Sequence, residues 1–276
     1  MQLKALIQKH ALPIYFILAY GIVWSFLLLI MASIHFQTSE VGLPIIGLML
    51  LAMAAGPSTA GLTLTAILEG KMGLRALFSR IGHWRVGPEW YLAAVGTVPI
   101  LLLSILTILG TFNPTFKPGW MPLGLLIGAF AGFFEELGWT GFALPRLLKR
   151  YGGLKAGLIL GLLWAFWHMM ADYLGNIQMM GNLWFLNFLV YWIIPLTAYR
   201  ILIAWVYQNT NSLLMAQMMH MFYTGTLIML TPTASLNDAL VWESVFGIIL
   251  WLVVGVVVAV FGNTLIRNTL KKEFAQ

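Results

Sequence analysis

Two adjacent carboxylates, Glu135 and Glu136, stand inside a stretch that is otherwise apolar from Met121 to Leu144. Two histidines, His168 and His220, stand inside later apolar stretches. Ionisable groups are expensive to keep at membrane depth and are by default functional candidates there. A carboxylate can act as general base on water; an imidazole can move a proton, polarise a carbonyl or ligate a metal. Helix rise puts Glu135 about 15 Å in from Pro145, His168 about 20 Å into its stretch and His220 about 14 Å into its own. All three depths converge about midway through a bilayer, somewhat nearer its cytoplasmic side. The plain alternatives are an interhelical ion pair for the glutamates and neutral imidazoles bonded to backbone carbonyls for the histidines.

Neighbouring residues extend this polar set. Asp172 follows His168 by four and shares its helix face, where a carboxylate would fix the imidazole tautomer. Gln217 and Thr224 flank His220 on one face. Glu136 points about 100° away from Glu135 and is expected to face a different partner. Ser58, inside Gly56-Pro57-Ser58-Thr59-Ala60-Gly61, reads as close helix packing rather than as a nucleophile. Asn187 reads as an interhelical hydrogen bond. Trp164-Ala165-Phe166-Trp167 reads as packing or as the wall of a substrate cleft. Glu89, Asp238 and Glu243 fall near stretch ends, within expected reach of solvent. The zinc-helix HExxH, Walker and dinucleotide fingerprints are absent.

The frame that positions these groups is a membrane one. Of 276 residues, 61% are hydrophobic and 9% charged, with mean hydropathy +0.89; a soluble domain carries about a quarter charged residues. The fold class is therefore all-α, a polytopic membrane protein forming one transmembrane domain over 1–276. The absence of cysteine excludes disulfides, thiolate metal sites and a cysteine nucleophile. Eight spans are expected, at roughly 12–34, 43–67, 89–110, 121–144, 154–174, 182–207, 211–231 and 241–263. With both termini cytoplasmic, fourteen of the fifteen basic residues fall on the inner side, Arg200 counted among them and Lys117 alone outside. That is the positive-inside bias, and it assigns the net charge of +6 to inner loops rather than to nucleic-acid binding. Lys4 and Lys9 precede a first apolar run too long for a signal-peptide core, so it reads as a retained span. Between the second and third spans, Leu74, Leu77, Phe78 and Ile81 fall at helical spacing with Arg75 and Arg80 on another face. This predicts a short helix on the inner membrane surface.

The motifs resemble those of the CAAX protease and bacteriocin-processing (CPBP, or Abi) family of intramembrane endopeptidases. Its first motif is Glu-Glu-x-x-x-Arg; here Glu135-Glu136 are followed by Gly-Trp-x-Gly-Phe-Ala-Leu-Pro-Arg-Leu, with Thr140 at the motif arginine. Its second motif is an aromatic residue four before a histidine, matched by Trp164 and His168. Its third is a histidine four before an asparagine, matched by His220 with Thr224 at the asparagine. The resemblance covers about 65–230. It implies an integral membrane endopeptidase, expected in a bacterial plasma membrane, with a site open to the cytoplasm. Glu135 would activate water with Glu136 in support. His168 and His220 would bind a divalent metal such as zinc, together with Glu135, or polarise the scissile carbonyl. Thr224 would assist as an oxyanion donor. The implied partners are the bilayer and a peptide or membrane-protein substrate, not nucleic acid. The two threonines leave a second reading open, a catalytically inactive relative that binds a partner or confers bacteriocin immunity. A small transporter using Glu135 and His168 as a proton relay is a third.

Overall fold

The computed structural model describes residues 2–267; Lys271 and Lys272, assigned above to the inner side, lie outside the described residues. The described residues are almost wholly helical and contain no strand. In chain order the helices are α1 (Gln2–Lys9), α2 (Ala11–Ser33), α3 (Leu43–Ser79), α4 (Pro88–Tyr91), α5 (Thr97–Phe112), α6 (Leu123–Gly138), α7 (Leu144–Tyr151), α8 (Gly153–Met180), α9 (Trp184–Phe188), α10 (Ile194–Thr210), α11 (Leu213–Leu230) and α12 (Leu236–Phe261). Three π turns join successive pieces of single rods: Leu92–Gly96, Trp139–Ala143 and Leu189–Ile193.

By length and composition, six helical stretches among the described residues are apolar enough to cross a membrane. One of them, Gly153–Thr210, is 58 residues long. It folds back at Gly181, whose φ of 53° ends α8, so it supplies two antiparallel rods. The rod carrying the glutamates, α6 with α7, is not among the six. It runs through the middle of the bundle, packed along α11 on one side and α3 on the other.

Small residues make that central packing possible. On α6, Gly124, Gly128 and Gly132 recur every fourth residue and meet α11 backbone to backbone. A β-carbon at Gly128 would sit 2.4 Å from the Met221 carbonyl oxygen, and one at Gly132 would sit 2.6 Å from that of Gln217. This small-xxx-small spacing replaces the hydrophobic drive that helices lack inside lipid. It also brings the glutamate helix against the His220 helix. Gly157 and Gly161 do the same for α8 against Ile201 and Thr197 of α10. Gly128→Leu is therefore expected to abolish the folded state, seen as loss of a cooperative thermal transition in detergent. Gly255→Leu, where a β-carbon meets nothing within 4 Å, should leave the transition intact.

Proline and arginine cooperate at the second π turn. Pro145 has no N–H to offer the carbonyl four residues back, which belongs to Gly141. Arg80 Nη2 donates to that carbonyl at 2.8 Å instead. The expected surface helix after Gly70 is present as the end of α3, beyond a break at Gly70 (φ 65°, ψ −156°). Its apolar face is anchored by buried Leu77, but Arg80 turns in toward the bundle end rather than out to solvent.

Candidate active site

Helices α6, α8 and α11 bring the sequence candidates to one cleft of about 170 Å³. Glu135, His168, His220 and Thr224 line it. Its other walls are apolar, with Leu50, Met53, Ile127 and Phe130 prominent. Glu136 is not on the cleft wall; it lies fully buried behind it.

His220 is held between the two carboxylates. Its Nδ1 donates to Glu136 Oε1 at 2.8 Å, and its Nε2 stands 3.9 Å from Glu135 Oε2. The expectation that the two glutamates face different partners is thus corrected. The imidazole has nitrogens on two edges, and one ring spans the 100° between successive helical positions. Trp139 and Trp164 donate their indole N–H to Glu135 Oε2 at 3.3 and 3.4 Å. His168 Nδ1 meets the Trp164 carbonyl at 2.9 Å. A carbonyl only accepts, so that nitrogen carries the proton and Nε2 keeps its lone pair. The His168 ring is stacked on Trp192 at 4.2 Å and meets Trp167 edge-on at 4.7 Å.

Arg200 is a candidate site residue that the charge count misplaced. Assigned there to the inner side, it is 0% exposed and forms a two-pronged ion pair with Glu136, both N–H···O distances 2.9 Å. Its guanidinium lies 4.0 Å above the Trp164 ring and 3.5 Å from the Thr140 hydroxyl, which itself donates to Glu136. A guanidinium from α10 thus reaches Glu136 beside position 140, where the motif has arginine. A lone cation well inside an apolar stretch demands a buried acid, and that signal was present in the sequence.

Two further expectations are corrected. Asp172 does not touch His168; it accepts hydrogen bonds from Asn176, Trp184 and Trp192. Trp192 lies between them, donating to Asp172 and stacking on the His168 ring. Nor does the cleft face the basic end of the bundle. Its walls come from the beginnings of α3 and α6 and the end of α11, beside the connections that carry Lys117. Trp139, Thr140 and Arg200, which do not line it, are fully buried on the side of Glu135 toward the basic end. Sideways the cleft continues between α3 and α6 into a groove past Gly47 and Leu51.

Ser58 behaves as its surroundings suggest, its hydroxyl lying 2.8 and 2.6 Å from the Ala54 and Phe134 carbonyl oxygens, which share its single O–H. Ser58→Ala should leave any catalytic rate within about twofold; a larger loss in a folded variant would bring Ser58 back as a nucleophile. Among the described residues, no three His, Asp or Glu side chains converge closely enough to hold a metal ion. The donor set Glu135, His168 and His220 therefore does not close around one point as a zinc centre requires.

Residues 117–226 match the family described as type II CAAX prenyl endopeptidase Rce1-like. Over this segment the match supports the expected resemblance to the CAAX protease and bacteriocin-processing family. A curated relative, CAAX prenyl protease 2 of Methanococcus maripaludis, is 31% identical over 112 residues, which is 38% of this chain. The chain spans about 40% of that relative's length. The matched segment contains every cleft residue from Glu135 to Thr224 and also Arg200.

Proposed function

We propose that this protein is an intramembrane endopeptidase in which Glu135 activates the attacking water. The observation that carries the proposal is His220 set between Glu136 and Glu135, with Arg200 fixing Glu136 from behind. A polar gap of 3.9 Å between His220 Nε2 and Glu135 Oε2 is one that a water can bridge. Glu135 takes that water's proton as the oxygen attacks the scissile carbonyl carbon. Thr224 is the hydroxyl on the cleft wall that can donate to the resulting oxyanion. Glu135 then passes the proton to the leaving amine as the C–N bond breaks. His168, its N–H committed to Trp164, offers an acceptor to the cleft and orients water or the scissile amide N–H. No step runs through a metal.

The substrate is a peptide segment of a membrane-associated protein, reaching the cleft through the apolar groove between α3 and α6. With the basic ends in the cytoplasm, as the charge bias requires, the cleft faces the outer half of the bilayer. Thr140 and Thr224 together favoured an inactive relative, and the first of them bears on the missing motif arginine. Arg200, paired with Glu136 from α10, supports the active reading on that point by bringing a guanidinium to the same carboxylate.

The test is cleavage of a quenched-fluorescent peptide library by the purified protein in liposomes, with and without chelator. Cleavage that survives chelation is expected. Cleavage abolished by chelator and restored by zinc would reinstate the metal set. No cleavage by the folded protein would favour the partner-binding relative.

A further inference from the structure

Beside the cleft, at the same end of the bundle, lies a second pocket of about 480 Å³. Tyr191 and Trp192 line both, so the two share a wall. The chemistry of the second pocket is different. Two carboxylates, Asp172 and Glu243, and two amides, Asn176 and Asn187, border it. Both carboxylates are 7% exposed. Glu243 was expected within reach of solvent, but it lies on the buried face of α12 with Phe246, Gly247 and Leu250, at helical spacing from each.

Among the described residues these two acids have no counter-charge. Asp172 is held by neutral donors, Asn176 and Trp192 on one oxygen at 2.9 Å each and Trp184 on the other at 2.7 Å. Glu243 Oε2 is buried with no hydrogen-bond partner. Among the described residues, neither forms an ion pair with Lys, Arg or His. Buried charges are ordinarily paired and buried polar atoms hydrogen-bonded. A primary ammonium brings three donors and a guanidinium five, with the charge that both acids lack. Such a group needs carboxylate and amide oxygens around it, and this pocket provides them.

We infer that the pocket bounded by Asp172, Asn176, Asn187, Tyr191, Trp192 and Glu243 is a cation subsite. It takes a lysine or arginine side chain of the peptide whose scissile bond occupies the neighbouring cleft. The inference rests on the endopeptidase reading for its occupant, but the subsite can be tested without any bond being cut.

The experiment is thermal unfolding of the full chain in detergent, titrated with acetyl-Ala-Lys-Ala-amide, acetyl-Ala-Gln-Ala-amide and ethanolamine, the last standing for a lipid headgroup amine. A ligand of the folded state raises the transition temperature saturably. The lysine peptide is expected to bind at least about tenfold more tightly than the glutamine peptide, the gain of one charge-assisted hydrogen bond. Glu243→Gln should erase that difference while leaving the weak glutamine-peptide response unchanged, and Asp172→Asn should reduce it. Equal affinities for the two peptides, no saturable response to the lysine peptide, or a preference that survives Glu243→Gln would overturn the subsite. Ethanolamine matching the lysine peptide would overturn its assignment to a peptide side chain. If the protein binds with this preference yet cleaves nothing, only the proteolytic reading fails.

Discussion

Arg200→Met is expected to abolish cleavage and to destabilise the fold by about 3–5 kcal/mol, the usual effect of removing one partner of a buried ion pair. Arg200 and Glu136 are both fully buried and joined by two parallel hydrogen bonds. Methionine fills much of the volume but leaves Glu136 charged in a low-dielectric interior, with only the Thr140 hydroxyl and His220 as donors. Glu136 would then shift or take up a proton, and His220 would lose its anchor. Arg200→Lys keeps the charge and loses the planar fork, so an intermediate loss of both activity and stability is expected. The informative companion is Arg200→Met with Thr140→Arg. Position 140 lies one helical turn from Glu136, and its side chain already reaches both Glu136 and Arg200. Moving the guanidinium there should recover part of the lost stability and activity. Thermal unfolding and cleavage of one library substrate would be measured on all three variants. Full activity in Arg200→Met would contradict the role given to the pair.

His220→Gln is expected to separate catalysis from stability. The imidazole contributes its Nδ1–H to Glu136 and its Nε2 to the space beside Glu135. Glutamine can replace the first but cannot set a ring nitrogen at the second. Loss of the ring nitrogen that holds the attacking water beside Glu135 is expected to lower kcat by roughly 10²-fold, the effect of misplacing a reacting group. Arg200 still compensates Glu136, so the unfolding temperature should move by only a few degrees. A rate within tenfold of wild type would remove His220 from the mechanism. A fold that collapses would make it a structural group, as in the plain reading of a buried imidazole.

The membrane class and the main helices were legible because hydropathy and charge act over long windows, and glycine and proline mark the ends. The depth count also brought Glu135, His168 and His220 to one level, and all three line one cleft. Facing was not legible. Depth along a helix says nothing of rotation about it, so Asp172 was assigned to His168 when its partners are the indoles of Trp184 and Trp192. The 100° between Glu135 and Glu136 was read as two different partners, but one imidazole reaches toward both carboxylates. Arg200 was absorbed into the charge bias, which counts cations by segment and is blind to one that points inward. Glu243 was judged by its distance from the chain's polar turn. Its neighbours Phe246 and Leu250 at helical spacing were the better guide.

The most direct measurement is the cleavage rate of Glu135→Gln beside wild type, on one library substrate in liposomes, with unfolding temperatures recorded for both. Glutamine keeps the size of the side chain, and its amide oxygen still accepts from Trp139 and Trp164, so the fold should be unchanged. If Glu135 activates water, kcat falls by roughly 10²–10⁴ or more, the range for removing a general base. A folded Glu135→Gln protein that cleaves at the wild-type rate would contradict the account at its centre.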